Sequence, residues 1–180
     1  MKNADDKLRI EVVKAQDLRP EKRDAILALC NRAYGEDLEP LFRVYADPVH
    51  VVGYLDNAIV SHAMWVTRWL QSDNEHPLRT AYVEMVATEP QFQGRGFASK
   101  VMGQLANEIR DYELGALWPN DIEFYARLGW VLWRGPLFIR SSEGLRPMPE
   151  DRVMILNLPK TPPLDLDGPL SAEWREGELL

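Results

Sequence analysis

The chain has 180 residues, 46% hydrophobic and 27% charged, with a formal net charge of −7. That length can bury a core without staples, and the acidic balance disfavours nucleic acid, whose phosphates need a basic face. A single cysteine, Cys30, excludes a disulfide framework, and no run approaches ~18 apolar residues or reads as a signal peptide, so the expectation is a cytoplasmic protein with no membrane partner.

Leu8 to Val13 alternates apolar and polar residues and predicts a first strand. Asp17 or Pro20 then opens a helix with Ile26, Leu29 and Cys30 on its apolar face, where Cys30 reads as a buried structural thiol. The acidic segment "YGEDLEPLF" surrounds a second helix. Val49–Leu55 and Ala58–Leu70, rich in β-branched and aromatic residues, flank the turn "LDNA" and form a hairpin. The strand "RTAYVEMVATEP" stops at Pro90. Beyond it Ala98, Val101, Met102, Leu105, Ala106 and Ile109 recur at helical spacing to about Tyr112.

"LGALW" is a short buried strand, "DIEFYARLG" a short helix, "WVLWRGPLFIR" strand-like and "DRVMILNL" a final strand. The segment 159–180 holds four prolines and little periodicity, so it is an ordered arm or a loose tail. This order of elements describes one mixed α/β domain without repeats or linkers.

The most informative stretch is "ATEPQFQGRGFASKVM", where Gly94 and Gly96 precede a helix. A helix start exposes unpaired backbone N–H groups and the positive end of its dipole, so glycines there admit an anion. A plain strand-to-helix turn with packing glycines explains an isolated GxG equally well. A P-loop lacks its Lys-Ser/Thr, and a dinucleotide fingerprint lacks both its third glycine, replaced by Ser99, and its strand-adjacent placement.

"QFQGRG" resembles the Q/R-x-x-G-x-G/A signature of the GCN5-related N-acetyltransferases, with Gln91, Gly94 and Gly96 in its fixed places. The resemblance implies a single-domain GCN5-related N-acetyltransferase fold, a mixed central sheet flanked by helices, and acetyl-CoA as cosubstrate. It implies that backbone N–H groups of Phe92, Gln93, Gly94, Arg95, Gly96 and Phe97 hold the pyrophosphate. Met85, Val86 and Thr88 of the preceding strand would lie beside the pantetheine arm and thioester, with the Val86 N–H as oxyanion donor. Downstream, "LGAL", "FYARLGW", "VMILNLP" and "EWREGE", with "IVSHAMWVTR" and its His62, look like the aminoglycoside 2'-N-acetyltransferases.

That closer resemblance implies a cationic aminoglycoside-type substrate, with Glu84 as a base acting through water and Tyr125 as the acid for the departing thiolate. Asp37 and Glu178 would bind substrate amines, Trp174 would pack the arm, and residues 159–180 would fold over the substrate site of a domain spanning 1–158. Each has a plainer reading. Glu84 reads as a structural strand carboxylate, Tyr125 as a core aromatic, and Asp37 and Glu178 as solvated loop acids. The family's chain typically ends with an aromatic beside the substrate, whereas here Leu180 stands in that place, which turns attention to a less cationic substrate such as kasugamycin. His50, His62 and His76 are too scattered to suggest a metal site. The aromatic strand ending "TRWLQ" would serve a homodimer or the core. Acetylation of another small amine or a protein N-terminus, and a non-catalytic acyl-CoA-binding module, are the competing readings.

Overall fold

The computed structural model describes residues 8–73, 76–177 and 180. The described chain divides into two compact units. One comprises the residues up to Trp65 with Met85–Leu105, and the other Val66–Glu84 with Ala106–Leu180. Two long strands, β3 (Ala58–Ser72) and β4 (Leu78–Thr88), contribute residues to both.

In the first unit β1 (Arg9–Lys14) pairs antiparallel with β2 (Val49–Leu55), from Arg9 opposite Tyr54 to Lys14 opposite Val49. β2 continues antiparallel into β3 across the turn at Asp56, with a register shift at Gly53 and Tyr54. Helix α1 (Pro20–Tyr34) begins with a proline, whose missing N–H costs nothing in the first turn, and stops at left-handed Gly35. Its Ile26, Leu29 and Cys30 are buried at i, i+3, i+4 spacing. The short α2 (Glu39–Val44) follows. After β4, a single 3-10 turn (Pro90–Phe92) leads to α3 (Phe97–Glu108), which buries Phe97, Val101, Met102 and Leu105. A Cβ on Gly53 would stand 3.2 Å from Val101 Cγ2, so glycine at this point of β2 admits the close approach of α3.

The second unit has a mixed sheet. Along it β6 (Val131–Leu132), β9 (Met154–Asn157), β5 (Leu114–Leu117), β4, β3, β10 (Leu170–Glu173), β7 (Leu137–Ser141) and β8 (Gly144–Pro147) follow in that order. β4 and β5 run parallel, as do β10 and β7, and the other assigned pairs are antiparallel. Between β5 and β6 lies α4 (Ile122–Arg127), capped by Asp121, whose Oδ1 accepts from the Phe124 N–H at 3.0 Å.

Two sequence expectations change here. "WVLWRGPLFIR" is not one strand: the backbone N–H groups of Arg134 and Gly135 both donate to Leu166 O at 2.9 Å, and this excursion before Pro136 separates β6 from β7. Nor is "DRVMILNL" the last strand, because residues 170–173 supply β10 between β3 and β7. Arginines hold that insertion: Arg140 Nη1 donates to Ser171 O at 2.7 Å and Arg68 Nη2 to Glu173 O at 2.6 Å.

Candidate functional site

In the first unit the β4–α3 loop has the geometry of an anion cradle. Gly94 and Gly96 have φ of +75° and +78°, and a Cβ at either would meet nothing within 4 Å. Packing therefore does not require these glycines; the left-handed backbone does. Gln91, Gln93, Gly94, Arg95 and Gly96 are exposed, Phe92 is half-buried, and Phe97 is buried as the first residue of α3. The opening amides of this twelve-residue helix have no carbonyl one turn back to accept them, and they carry the positive end of its dipole. Arg95 stacks its guanidinium 5.3 Å from the Phe92 ring and 5.2 Å from that of Phe97.

The loop is anchored on both sides. Arg32 of α1 binds both carboxylate oxygens of Glu89, its Nε at 3.1 and 3.2 Å, and the Glu89 N–H donates to Val60 O at 2.9 Å. Thr88 Oγ1 lies 2.9 Å from Ser61 Oγ, and Gln93 Nε2 donates to Thr88 O at 3.3 Å. An anionic, extended cosubstrate fits such a cradle. Glycine at both positions lets an anion approach the backbone N–H groups closely.

Just before the loop, β4 departs from regular strand geometry. Met85 is buried with φ +53°, a left-handed conformation that a non-glycine residue adopts at a cost of roughly 1–2 kcal/mol. Its carbonyl accepts a hydrogen bond from His62 Nδ1 at 2.8 Å, while the carbonyl of half-buried Val86 accepts from Tyr34 Oη at 3.1 Å. Cys30 is fully buried 3.7 Å from His62 Nδ1, and burial pushes its thiol up to about 12, as suits a structural thiol. Asp37 is exposed, and its Oδ1 accepts from the Glu39 N–H at 3.1 Å, which steadies the start of α2.

The second unit holds Glu84, Tyr125 and Trp174. Glu84 is not a bare carboxylate: Arg175 Nη2 donates to its Oε1 at 2.5 Å, and the two side chains are only 10% and 15% exposed. The ring of buried Tyr82 receives two guanidinium groups, Arg68 at 4.9 Å and Arg175 at 5.4 Å. Arg68, 1% exposed, also meets Glu173 at 3.4 Å, and burial followed by the charge of Arg175 pulls its pKa down. Reading the sequence singled out Glu84 but missed Arg68 and Arg175. The available signals were an arginine in a long strand with no other Lys, Arg, Asp or Glu, and a lone cation within "EWREGE".

Tyr125 is buried on α4 against Phe124 and Trp130, at ring-centroid separations of 5.0 and 6.4 Å. Burial, with the charge of Asp121 behind it, pushes the phenol up to about 12, so at neutral pH it is a proton donor. Trp174 is exposed directly after β10, its N–H donating to Arg140 O at 2.8 Å. Glu178 lies outside the described residues. Among the described residues, no three His, Cys, Asp or Glu side chains group as metal ligands, and no helix is long and apolar enough to cross a membrane.

The comparisons with known proteins agree with this geometry. Residues 14–132 match the Acetyltransferase (GNAT) domain. The chain is 30% identical to the aminoglycoside 2'-N-acetyltransferase of Mycolicibacterium fortuitum over 181 aligned positions, covering 93% of this chain and 90% of that protein. Among solved structures, the GNAT-family N-acetyltransferase YhbS of Escherichia coli, in complex with CoA, superposes with a TM-score of 0.64 at 16% identity. That superposition covers 94% of this chain and 92% of the other. A Brucella melitensis GNAT acetyltransferase in complex with acetyl-CoA gives 0.57 at 14% identity, covering 87% and 92%. Eis1 of Mycobacterium abscessus gives 0.61 at 14% identity over 73% of this chain, which spans only 33% of that longer protein. The mixed α/β acetyltransferase fold expected from "QFQGRG" and its surroundings is borne out, and the chain belongs to the GNAT family of acetyltransferases.

Proposed function

We propose that this acetyltransferase moves the acetyl group of acetyl-CoA to the 2'-amine of an aminoglycoside-type antibiotic and so confers resistance. The similarity to an aminoglycoside 2'-N-acetyltransferase over 93% of the chain carries this reading. The loop amides from Phe92 to Phe97 bind the pyrophosphate of the cosubstrate, and Met85, Val86 and Thr88 line its pantetheine arm. The amine must be neutral to attack, so Glu84 accepts its proton through water, with Arg175 balancing the carboxylate. As nitrogen bonds to the thioester carbon, charge collects on the carbonyl oxygen and the Val86 N–H stabilises it. Collapse breaks the C–S bond, and the thiolate takes the phenolic proton of Tyr125. The proton lost by the attacking nitrogen restores that phenol through solvent. Asp37, Glu178 and Trp174 bind the antibiotic.

The Glu84–Arg175 pair favours the less cationic member of the substrate class. A polycationic deoxystreptamine drug gains from unpaired carboxylates, and Glu84 already has a cationic partner. Kasugamycin is therefore placed ahead of kanamycin, gentamicin and tobramycin. Thiol release from acetyl-CoA with each of the four, followed by NMR of the product, tests the reading. Acetylation at a 2'-amine supports it. No turnover on any of the four, or acetylation only of polyamines and peptide N-termini, overturns it.

A further inference from the structure

Three buried groups on neighbouring strands of the first unit form a directed hydrogen-bond chain that the mechanism above does not use. His50 on β2 is 1% exposed, His62 on β3 is fully buried, and Met85 on β4 is 5% exposed. His62 Nδ1 lies 2.8 Å from Met85 O. A carbonyl can only accept, so Nδ1 of His62 carries its proton, and its Nε2 presents a lone pair. His50 Nδ1, 3.0 Å away, must then donate to that Nε2. The direction of both bonds follows from the single carbonyl at the end.

This order needs His62 neutral, so that its Nε2 can accept, and the surroundings keep both imidazoles neutral. Burial lowers His62 to about 3, with the neighbouring His50 as a smaller cause, and burial with the charge of Arg23 lowers His50 to about 4. The chain ends on the residue of β4 that has a left-handed backbone. That conformation turns the Met85–Val86 peptide, which carries both the Met85 carbonyl and the Val86 N–H, away from regular strand geometry. Without a donor at His62 the buried carbonyl would lose its partner, and nothing would offset the strain at Met85.

We propose that His62, oriented by His50, is a positioning residue for acetyl transfer: by holding the Met85 carbonyl it fixes the kink in β4 that aims the Val86 amide at the thioester. The proposal rests on the role given above to Val86, but not on the identity of the acceptor. It predicts that the imidazole matters to the chemical step more than to cosubstrate binding.

The test compares His62→Asn, whose side-chain amide can still donate to Met85 O, with His62→Leu, which cannot. Thiol release is measured with an antibiotic acceptor and with water as the acceptor, where acetyl-CoA gives acetate and CoA. Failure of the antibiotic reading thus leaves the relay tested. Expected for His62→Leu is a fall in kcat of about 10²-fold, the scale of a lost oxyanion donor, with acetyl-CoA affinity changed less than about 3-fold. His62→Asn should recover most of that loss. Imidazole 15N spectra of the unmodified protein should show a protonated Nδ1 and an unprotonated Nε2 on His62, and do not depend on any variant folding. An Nε2–H tautomer at His62, or a His62→Leu variant that loses stability but keeps its kcat, overturns the proposal.

Discussion

Replacing Arg175 by methionine removes the guanidinium that lies 2.5 Å from the Glu84 carboxylate, itself 10% exposed. The 2.5 Å N–O contact places the charge centres about 4 Å apart, where an effective dielectric near 20 gives an attraction of about 4 kcal/mol. Breaking one side of a buried pair costs about 3–5 kcal/mol, because the remaining charge keeps its desolvation penalty. For a chain of this size the melting temperature should fall by about 6–20 °C. The double variant Glu84→Gln/Arg175→Met removes both charges of the pair and should return to within about 1.5 kcal/mol of the parent. Urea denaturation of the parent, both single variants and the double variant closes the cycle. Additive effects, with each single change below about 1 kcal/mol, would show that the pair is solvated and refute the reasoning. The same cycle separates stability from chemistry, since the double variant should be folded yet poor in turnover if Glu84 is the base.

The buried histidines make stability depend on pH with a defined sign. Their folded values, about 4 and about 3, lie below the ordinary 6.5, so the unfolded chain binds protons first and stability is lost as pH falls below that value. Between pH 7 and 5 the two together should remove roughly 3–4 kcal/mol, measured by denaturation at both pH values; His50→Phe should remove about half of that dependence. Gly96→Ala forces a left-handed alanine at φ +78°, costing about 1–2 kcal/mol of loop geometry, and should weaken acetyl-CoA binding by calorimetry about 10-fold. Tyr125→Phe should lower kcat by about 10²–10⁴-fold at nearly unchanged acetyl-CoA affinity. Unchanged turnover would remove the phenol from the mechanism.

Much of the fold could be read from local pattern. β2 occupies Val49–Leu55 as its β-branched run predicts, and α3 follows the spacing of Val101, Met102 and Leu105. The cradle was legible because glycine is the chemical mark of left-handed backbone, and both Gly94 and Gly96 adopt it. Met85 carries no such mark: a methionine in a strand pattern predicts regular extension, and only a histidine 23 residues earlier makes its kink tolerable. Glu84 was conspicuous as an acid inside a strand, but its partner lies 91 residues away in a proline-rich segment without periodicity. β10 was hidden for the same reason, since "LSAE" has little strand propensity and depends on Arg68 and Arg140 from elsewhere. Asp37, read as a candidate for substrate amines, is exposed and caps its own turn, a use of aspartate that sequence does not separate from binding.

The position of β10 also bears on how the second unit is made. Among the described residues, β7 and β8 pair into the sheet of that unit only through Leu170–Glu173, which pair with Leu137–Arg140 on one side and, through Leu170–Ala172, with Leu70–Ser72 on the other. During synthesis those four residues emerge after every other strand of the unit. Until then β3 and the β7–β8 hairpin both present unsatisfied edges, ready templates for pairing between chains. Nascent chains are thus exposed to self-association until the closing strand arrives. Substitutions at Arg68 or Arg140, which hold that strand, should lower soluble yield more than they lower the activity of the protein that does fold.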